Sequence, residues 1–219
     1  MSSSSRIPKD VDEASARLLA RAYDLASPEE TRKLYRDWAE TYDTTMLDGL
    51  GYMSPQLVAQ VLADHLPDKS AHILDIGSGT GLAGVKLAEH GFTKIDALDF
   101  SSDMLAMAAK RNIYTDLIEC DLTQILPLPD AHWDGAVCSG TFTHGHVGPS
   151  CLAEIFRVLK SGSLFAFTVN KGVWQDMGFD TELKKLESNN IARLLKRHET
   201  VNYQSATEPD SILNLYQRP

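Results

Sequence analysis

Three cysteines in 219 residues are too few for a disulfide framework. Cys120, Cys138 and Cys151 cannot all pair, and none belongs to a CxxC. Reduced thiols in a cytoplasmic protein are the expectation. Long apolar runs are missing too, with nothing near the roughly 20 residues that span a bilayer. The Ser-rich start, Met1 to Asp10, lacks the apolar stretch of a signal peptide, and residues 1–11 are expected to form a disordered tail. Basic charge is scarce: 21 Lys and Arg face 30 Asp and Glu, a formal net charge of -9. That field repels a phosphate backbone or an anionic membrane. The densest basic stretch, Lys184, Lys185, Arg193, Lys196 and Arg197, is diluted by Glu182, Glu187 and Glu199. Nucleic acid and membrane partners are therefore not expected. With 43% hydrophobic and 23% charged residues, the chain has enough apolar material for a compact core.

From residue 72 onward, short apolar runs alternate with helical patterns. His72–Gly77, Lys94–Phe100, Tyr114–Cys120, Trp133–Ser139 and Ser163–Val169 read as strands. Leu82–His90, Asp103–Arg111 and Pro149–Leu159 read as helices, the last closed by a turn at Lys160-Ser161-Gly162. This alternation predicts βαβ units and a mainly parallel sheet, with strands buried on both faces. Before this core, Asp12–Ala26, Pro28–Tyr42 and Pro55–Leu66 read as helices, making residues 12–70 a helical cap on a core of residues 71–219 within a single domain. After it, Asp180–Asn189 reads as a helix. Ala192–Tyr203 and Ile212–Arg218 read as strands that pair as an antiparallel hairpin on the sheet edge, although Leu194–His198 also fits a helix.

Leu74-Asp75-Ile76-Gly77-Ser78-Gly79-Thr80-Gly81 follows a strand and opens a helix. Glycines there let the backbone bend sharply and lie against a ligand, with helix-start N–H groups facing it. A dinucleotide fingerprint needs GxGxxG, but counted from Gly77 its third glycine position holds Leu82. A carboxylate at Asp75 repels a pyrophosphate and suits a ligand ammonium. The pattern fits the amino-acid end of S-adenosylmethionine better than a diphosphate. Asp99 ends the next strand eighteen residues after Gly81, a spacing that suits a ribose diol. Phe100 and Met104 offer apolar surface beside an adenine, and Asp121 an acceptor for its amine. Each also has a plainer reading, as core or as a turn residue.

These segments resemble the class I S-adenosylmethionine-dependent methyltransferases. ILDIGSGTG matches their first motif and ALDFSSDML their second. ECDLTQILPLPDAHWDGAVCSGTFTH is similar to their adenine and post-adenine motifs, and LAEIFRVLKSGSLFAFTV to the next helix–turn–strand. The likeness covers roughly residues 28–170. It implies a three-layer Rossmann-like α/β sandwich with a seven-stranded, mainly parallel sheet whose last strand, Ile212–Arg218, is antiparallel and inserted beside Ser163–Val169. It also implies a methionine moiety held by Asp75, Gly77, Ser78, Gly79 and Gly81, and a ribose held by Asp99. Phe100, Met104, Cys120, Asp121 and Leu122 would frame the adenine. Ser139 and Gly140 would lie near the sulfonium. Trp38 and Tyr42, one helical turn apart, would close the site.

Methyl transfer needs alignment more than catalytic side chains, since the cofactor carries the reactive group. A hydroxyl acceptor adds the need for a base. His144 is the first candidate and His146 the next, both in the loop leaving the fourth strand. Two histidines do not make a metal site, and none is expected. The fourth strand ends in Ser-Gly-Thr-Phe, without the Asn/Asp-Pro-Pro-aromatic signature of nucleic-acid amino methylation. A small neutral or cationic acceptor is expected, with a protein acceptor left open; Lys171–Phe179 either lines its pocket or forms a surface connection, Tyr203 is a further lining candidate, and the chain acts as a monomer or weak homodimer. Two other readings stay open: a silent S-adenosylmethionine-binding regulatory protein, and a nicotinamide-dependent reductase.

Overall fold

The computed structural model describes residues 41–219 throughout and, before them, Arg17, Leu18, Ala20, Arg21, Glu30, Lys33, Leu34, Asp37 and Trp38, all helical. The expected tail at 1–11 lies outside the described residues, as does most of the first two expected helices. A π-helical turn, Thr44–Gly49, leads into α1 (Ser54–His65). Then come β1 (His72–Ile76), α2 (Leu82–Glu89), β2 (Lys94–Asp99), α3 (Ser102–Ala109), β3 (Asp116–Glu119) and β4 (Trp133–Phe142). The chain continues through a 3-10 turn (Pro149–Cys151), α4 (Leu152–Val158), β5 (Leu159–Asn170), α5 (Lys171–Trp174), α6 (Phe179–Ser188), β6 (Arg193–Thr200) and β7 (Ser211–Gln217).

The seven strands form one sheet in the order β3-β2-β1-β4-β5-β7-β6. β7 is antiparallel to both of its neighbours, and the other pairings are parallel. This is the Rossmann-like sandwich expected, with the terminal hairpin in its expected place. The order reverses between β1 and β4, so the chain leaves these two neighbours in opposite directions. A crevice opens at their C-terminal ends, where open α/β sheets bind ligands.

Strand periodicity explains the two core faces. Along β5, Phe165, Phe167 and Val169 join Leu74, Ile76 and Tyr216 on one face, under α4 and α6. Leu164 and Ala166 join Ile73, Val137 and Leu213 on the other, under α1 and α2. Val58 and Leu62 of α1 thus belong to the sandwich itself, rather than to a cap above it. A third cluster, Leu34, Trp38, Met46, Leu50, Tyr52 and Tyr203, covers the C-terminal edge of the sheet.

Several boundaries differ from the sequence reading. β4 runs on to Phe142, with a register slip against β5 between Cys138 and Phe142. The turn expected at Lys160–Gly162 is a bulge inside β5: Trp133 pairs with Leu159, and Gly135 already pairs with Leu164. The helix expected from Pro149 begins as the 3-10 turn and ends at Val158. Burial on both faces holds for the central strands only. β3 and β6 are sheet edges and are mostly exposed.

The aromatic stack through the larger core is the fold's most concentrated packing. Phe165 and Phe167 stack with centroids 4.5 Å apart, and Phe167 meets Tyr216 at 5.9 Å. Phe167 is fully buried, so Phe167→Ala is expected to cost about 3–5 kcal/mol of unfolding free energy, read from urea titration.

Candidate functional site

The bend after β1 is built from backbone that only glycine adopts easily. Gly77, Gly79 and Gly81 have φ of 62°, 55° and 91°. At Gly77 sterics agree, since a Cβ there would lie 2.0 Å from Thr141 Oγ1 on β4. At Gly79 the surroundings are open: a Cβ would meet nothing within 4 Å. The loop thus touches β4 on one side and faces space at its apex.

Two buried carboxylates hold this bend. Asp99, at the end of β2, accepts from the Gly79 N–H at 2.8 Å through Oδ2 and from the Ser101 N–H at 2.9 Å through Oδ1. Asp75, inside β1, accepts through Oδ2 from the Gly84 N–H at 3.0 Å and the Tyr114 hydroxyl at 2.7 Å. Burial raises both carboxyls above the usual range, Asp75 to about 7, while these hydrogen bonds oppose the rise. Asp75 therefore braces the start of α2 from beneath. Sequence reasoning misses Tyr114 and Gly84. A Cβ at Gly84 would sit 2.1 Å from the Tyr114 hydroxyl, so glycine is required by that close approach. The Ser78 hydroxyl is buried in the same bend without a hydrogen-bond partner among the described residues. Asp43 is a third residue that sequence reasoning misses. It binds both the Thr80 hydroxyl and Arg111, and Arg111 Nε donates to the Thr80 carbonyl at 3.2 Å. The segment carrying Tyr42 is thereby tied to the glycine bend.

The other expected cofactor residues fall around this bend in distinct settings. Phe100 follows β2 and is half-buried. Met104 is buried in the first turn of α3, where its N–H is capped by Ser101. Cys120 and Leu122 belong to the larger core. Asp121 lies between them and accepts through Oδ1 from the Thr123 N–H and hydroxyl, both at 2.8 Å, a turn-forming role. Ser139 is half-buried within β4.

Beside the bend lies an open cavity. Trp38, Tyr42, Met46, Tyr52, Phe142 and Tyr203 supply its apolar walls. Gly140, Thr143, His146, Thr168, Asn170, Asn202 and Ser211 supply the rest, from the end of β4 and the loop after it, the end of β5, the β6–β7 connection and the start of β7. Trp38 and Tyr42 thus meet here as expected of one helix face, with ring centroids 4.8 Å apart, and Trp38 Nε1 donates to Thr45 Oγ1 at 3.3 Å. Tyr203 also reaches the cavity. The stretch Lys171–Phe179 does not line it: Val173, Trp174 and Phe179 turn into the larger core instead. Of the two loop histidines, His146 lines the cavity. His144 lies against Gly172, where a Cβ would sit 2.6 Å from its Nε2. Gly145, at φ 72°, turns the chain between them and separates their directions. No helix among the described residues is long and apolar enough to cross a membrane.

Residues 74–167 match a family described as a methyltransferase domain. Human methyltransferase-like protein 27 is 34% identical over 146 residues, 64% of this chain and 59% of that protein. A demethylmenaquinone methyltransferase of Symbiobacterium thermophilum is 32% identical over 161 residues, 67% of this chain and 63% of that enzyme. The chain thus spans about three fifths of the length of these curated relatives. In fold it is similar to the Burkholderia thailandensis 1,6-didemethyltoxoflavin-N1-methyltransferase, solved with 1,6-didemethyltoxoflavin and S-adenosylhomocysteine bound, at a TM-score of 0.63 and 16% identity over 89% of this chain and 91% of that one. The matched segment runs from β1 into β5 and contains the whole braced bend, so this part of the chain is similar to the methyltransferase domain family.

Proposed function

We propose that the chain binds S-adenosylmethionine at the bend after β1 and directs its methyl group to a small molecule held in the adjoining cavity. The observation that carries this reading is Asp99. Its carboxylate ends β2, reaches back to the Gly79 N–H, and lies beside the open space over that glycine. Each Asp99 oxygen retains acceptor capacity for a diol. The buried, unpartnered Ser78 hydroxyl is a further group a ligand would satisfy. These features fit the cofactor. Bound there, it supplies an electrophilic methyl on a sulfonium.

The chain's own residues do the rest. Gly77, Ser78, Gly79 and Gly81 receive the amino-acid end. Asp75 keeps that backbone in shape through Gly84 and Tyr114. Asp99 takes the ribose, and Phe100, Met104, Cys120, Asp121 and Leu122 frame the base. Ser139 and Gly140 flank the passage to the cavity, while Trp38 and Tyr42 exclude water from it. Relatives that carry the name methyltransferase support transfer over a silent binding role, and the methyltransferase domain match supports this cofactor over a nicotinamide. The overall charge of -9 supports an acceptor that is not a nucleic acid.

Calorimetry separates these readings. Binding of S-adenosylmethionine and S-adenosylhomocysteine, without binding of NADH, is expected. No heat with either adenosyl ligand at high micromolar concentration contradicts the proposal. Asp99→Ala is expected to weaken S-adenosylhomocysteine by about 1–3 kcal/mol, the scale of charge-assisted hydrogen bonds.

A stability measurement checks the brace. A carboxyl raised on folding adds stability below its unfolded pKa, and that stability is lost as pH rises through its folded value. For Asp75 the window runs from 3.8 to about 7. The ligand-free melting temperature is expected to fall across that window, and Asp75→Asn is expected to flatten the fall.

A further inference from the structure

Thr80 sits between Gly79 and Gly81 in the bend and is buried. A single pair of side chains from outside the bend holds both of its polar groups. The Thr80 hydroxyl donates to Asp43 Oδ1, and the Thr80 carbonyl accepts from Arg111 Nε at 3.2 Å. Arg111 also donates through Nη2 to Asp43 Oδ2, which closes a ring of three residues. These residues come from distant parts of the chain: the stretch before the π-helical turn, the bend after β1, and the stretch after α3.

Such a ring adds little stability. The Asp43 and Arg111 side chains keep 30% and 29% of their surface exposed, and water and salt screen an ion pair in that setting. What the ring adds is position. Gly79 and Gly81, at φ of 55° and 91°, have conformational freedom that other residues lack. Thr80 is the residue between them, so a grip on its hydroxyl and its carbonyl fixes how the chain passes from one glycine to the next.

The same ring reaches the cavity. Asp43 follows Tyr42, and Met46 and Tyr52 come soon after; all three of these neighbours line the cavity. Backbone hydrogen bonds pin the far end of this wall. The Gln204 N–H donates to the Gly51 carbonyl at 2.9 Å, and the Met53 N–H to the Asn202 carbonyl at 2.7 Å. At the near end the Asp43 side chain ties the wall to the bend. Backbone pairing at one end and a partly exposed ion pair at the other make a fixed end and a catch.

We propose that Asp43 and Arg111 are positioning residues for methyl transfer: through Thr80 they set the bend in the path that receives the cofactor, and they hold the wall of residues 42–52 against it. The inference rests on the methyl-transfer reading and deepens it. Both residues act through Thr80 rather than on the reacting atoms. With the catch closed, bend and wall present cofactor and acceptor in one fixed relation, from which an in-line transfer gains much of its rate.

Two readouts test this, calorimetry with S-adenosylhomocysteine for the bend and the indole N–H resonances for the wall. Trp38 Nε1 donates to Thr45 Oγ1 in the wall, whereas Trp133 and Trp174 belong to the larger core and report an intact fold. Asp43→Ala is expected to weaken S-adenosylhomocysteine about tenfold, the scale of a lost charge-assisted hydrogen bond. It is also expected to move the Trp38 resonance and leave those of Trp133 and Trp174 in place. Asp43→Asn keeps an acceptor for Thr80 and loses the charge, so about a threefold loss is expected. Raising salt from about 50 to about 500 mM is expected to weaken the ligand in wild type and to have no such effect in Asp43→Asn. Thr80→Val is expected to weaken binding about fivefold or more, and Thr80→Ser to recover most of that loss. Asp43→Ala with Arg111→Gln is expected to be about as weak as Asp43→Ala alone, because both changes break one ring.

A dissociation constant for Asp43→Ala within about twofold of wild type overturns the inference. So does an unmoved Trp38 resonance in that variant, or losses from Asp43→Ala and Arg111→Gln that simply multiply. If Asp43→Ala loses the core tryptophan signals, Asp43→Asn and Thr80→Val decide by the same criteria. Wild-type binding retained in these cases confines the failure to the catch. Wild-type protein that binds no S-adenosylhomocysteine removes the methyl-transfer reading, and this inference with it.

Discussion

Burying two carboxylates at one backbone bend is costly, and the rest of the site depends on how that cost is offset. Asp99 accepts from the Gly79 N–H of the bend and from the Ser101 N–H before α3, while Asp75 accepts from the Gly84 N–H of α2 and from the Tyr114 hydroxyl. Removing either acid would leave buried donors without acceptors, a loss of about 1–3 kcal/mol per group. The glycines make the arrangement sterically possible, because Thr141 and Tyr114 come closer to Gly77 and Gly84 than any side chain would allow. Acids and glycines therefore form one device. The acids fix the path of the backbone, and the glycines permit it.

That device sits where β1 and β4 diverge, and the extension of β4 to Phe142 carries the same constraint to the neighbouring cavity. Thr141 packs on Gly77, and the residues on either side of it, Gly140 and Phe142, line the cavity. Asp43 makes a second link, from the segment bearing Tyr42 and Met46 to Thr80 and Arg111. Bend and cavity thus share rigid parts on two sides.

Much of this is legible in the sequence because it repeats local rules. The apolar strands and the glycine spacing each follow from neighbouring residues, and Asp99 follows from its distance to the loop. Unread features come from contacts between distant segments. Nothing local announces that Tyr114 will hydrogen-bond Asp75, or that Asp43 will reach Arg111. The bulge in β5 reads as a turn because Lys160-Ser161-Gly162 has turn chemistry, which sheet pairing to Leu159 absorbs. His144 and His146 are indistinguishable as types. A positive φ at Gly145 separates them, and only the folded chain shows which side each takes. The stretch Lys171–Phe179 misleads because aromatic residues suit a core as well as a pocket.

Nuclear magnetic resonance of the loop amides addresses the central claim most directly. On addition of S-adenosylhomocysteine, the resonances of Gly77, Gly79, Gly81 and Gly84 are predicted to move together and saturate at one dissociation constant, with slower amide exchange at the bend. Unchanged loop resonances under conditions where the ligand binds elsewhere would contradict the account.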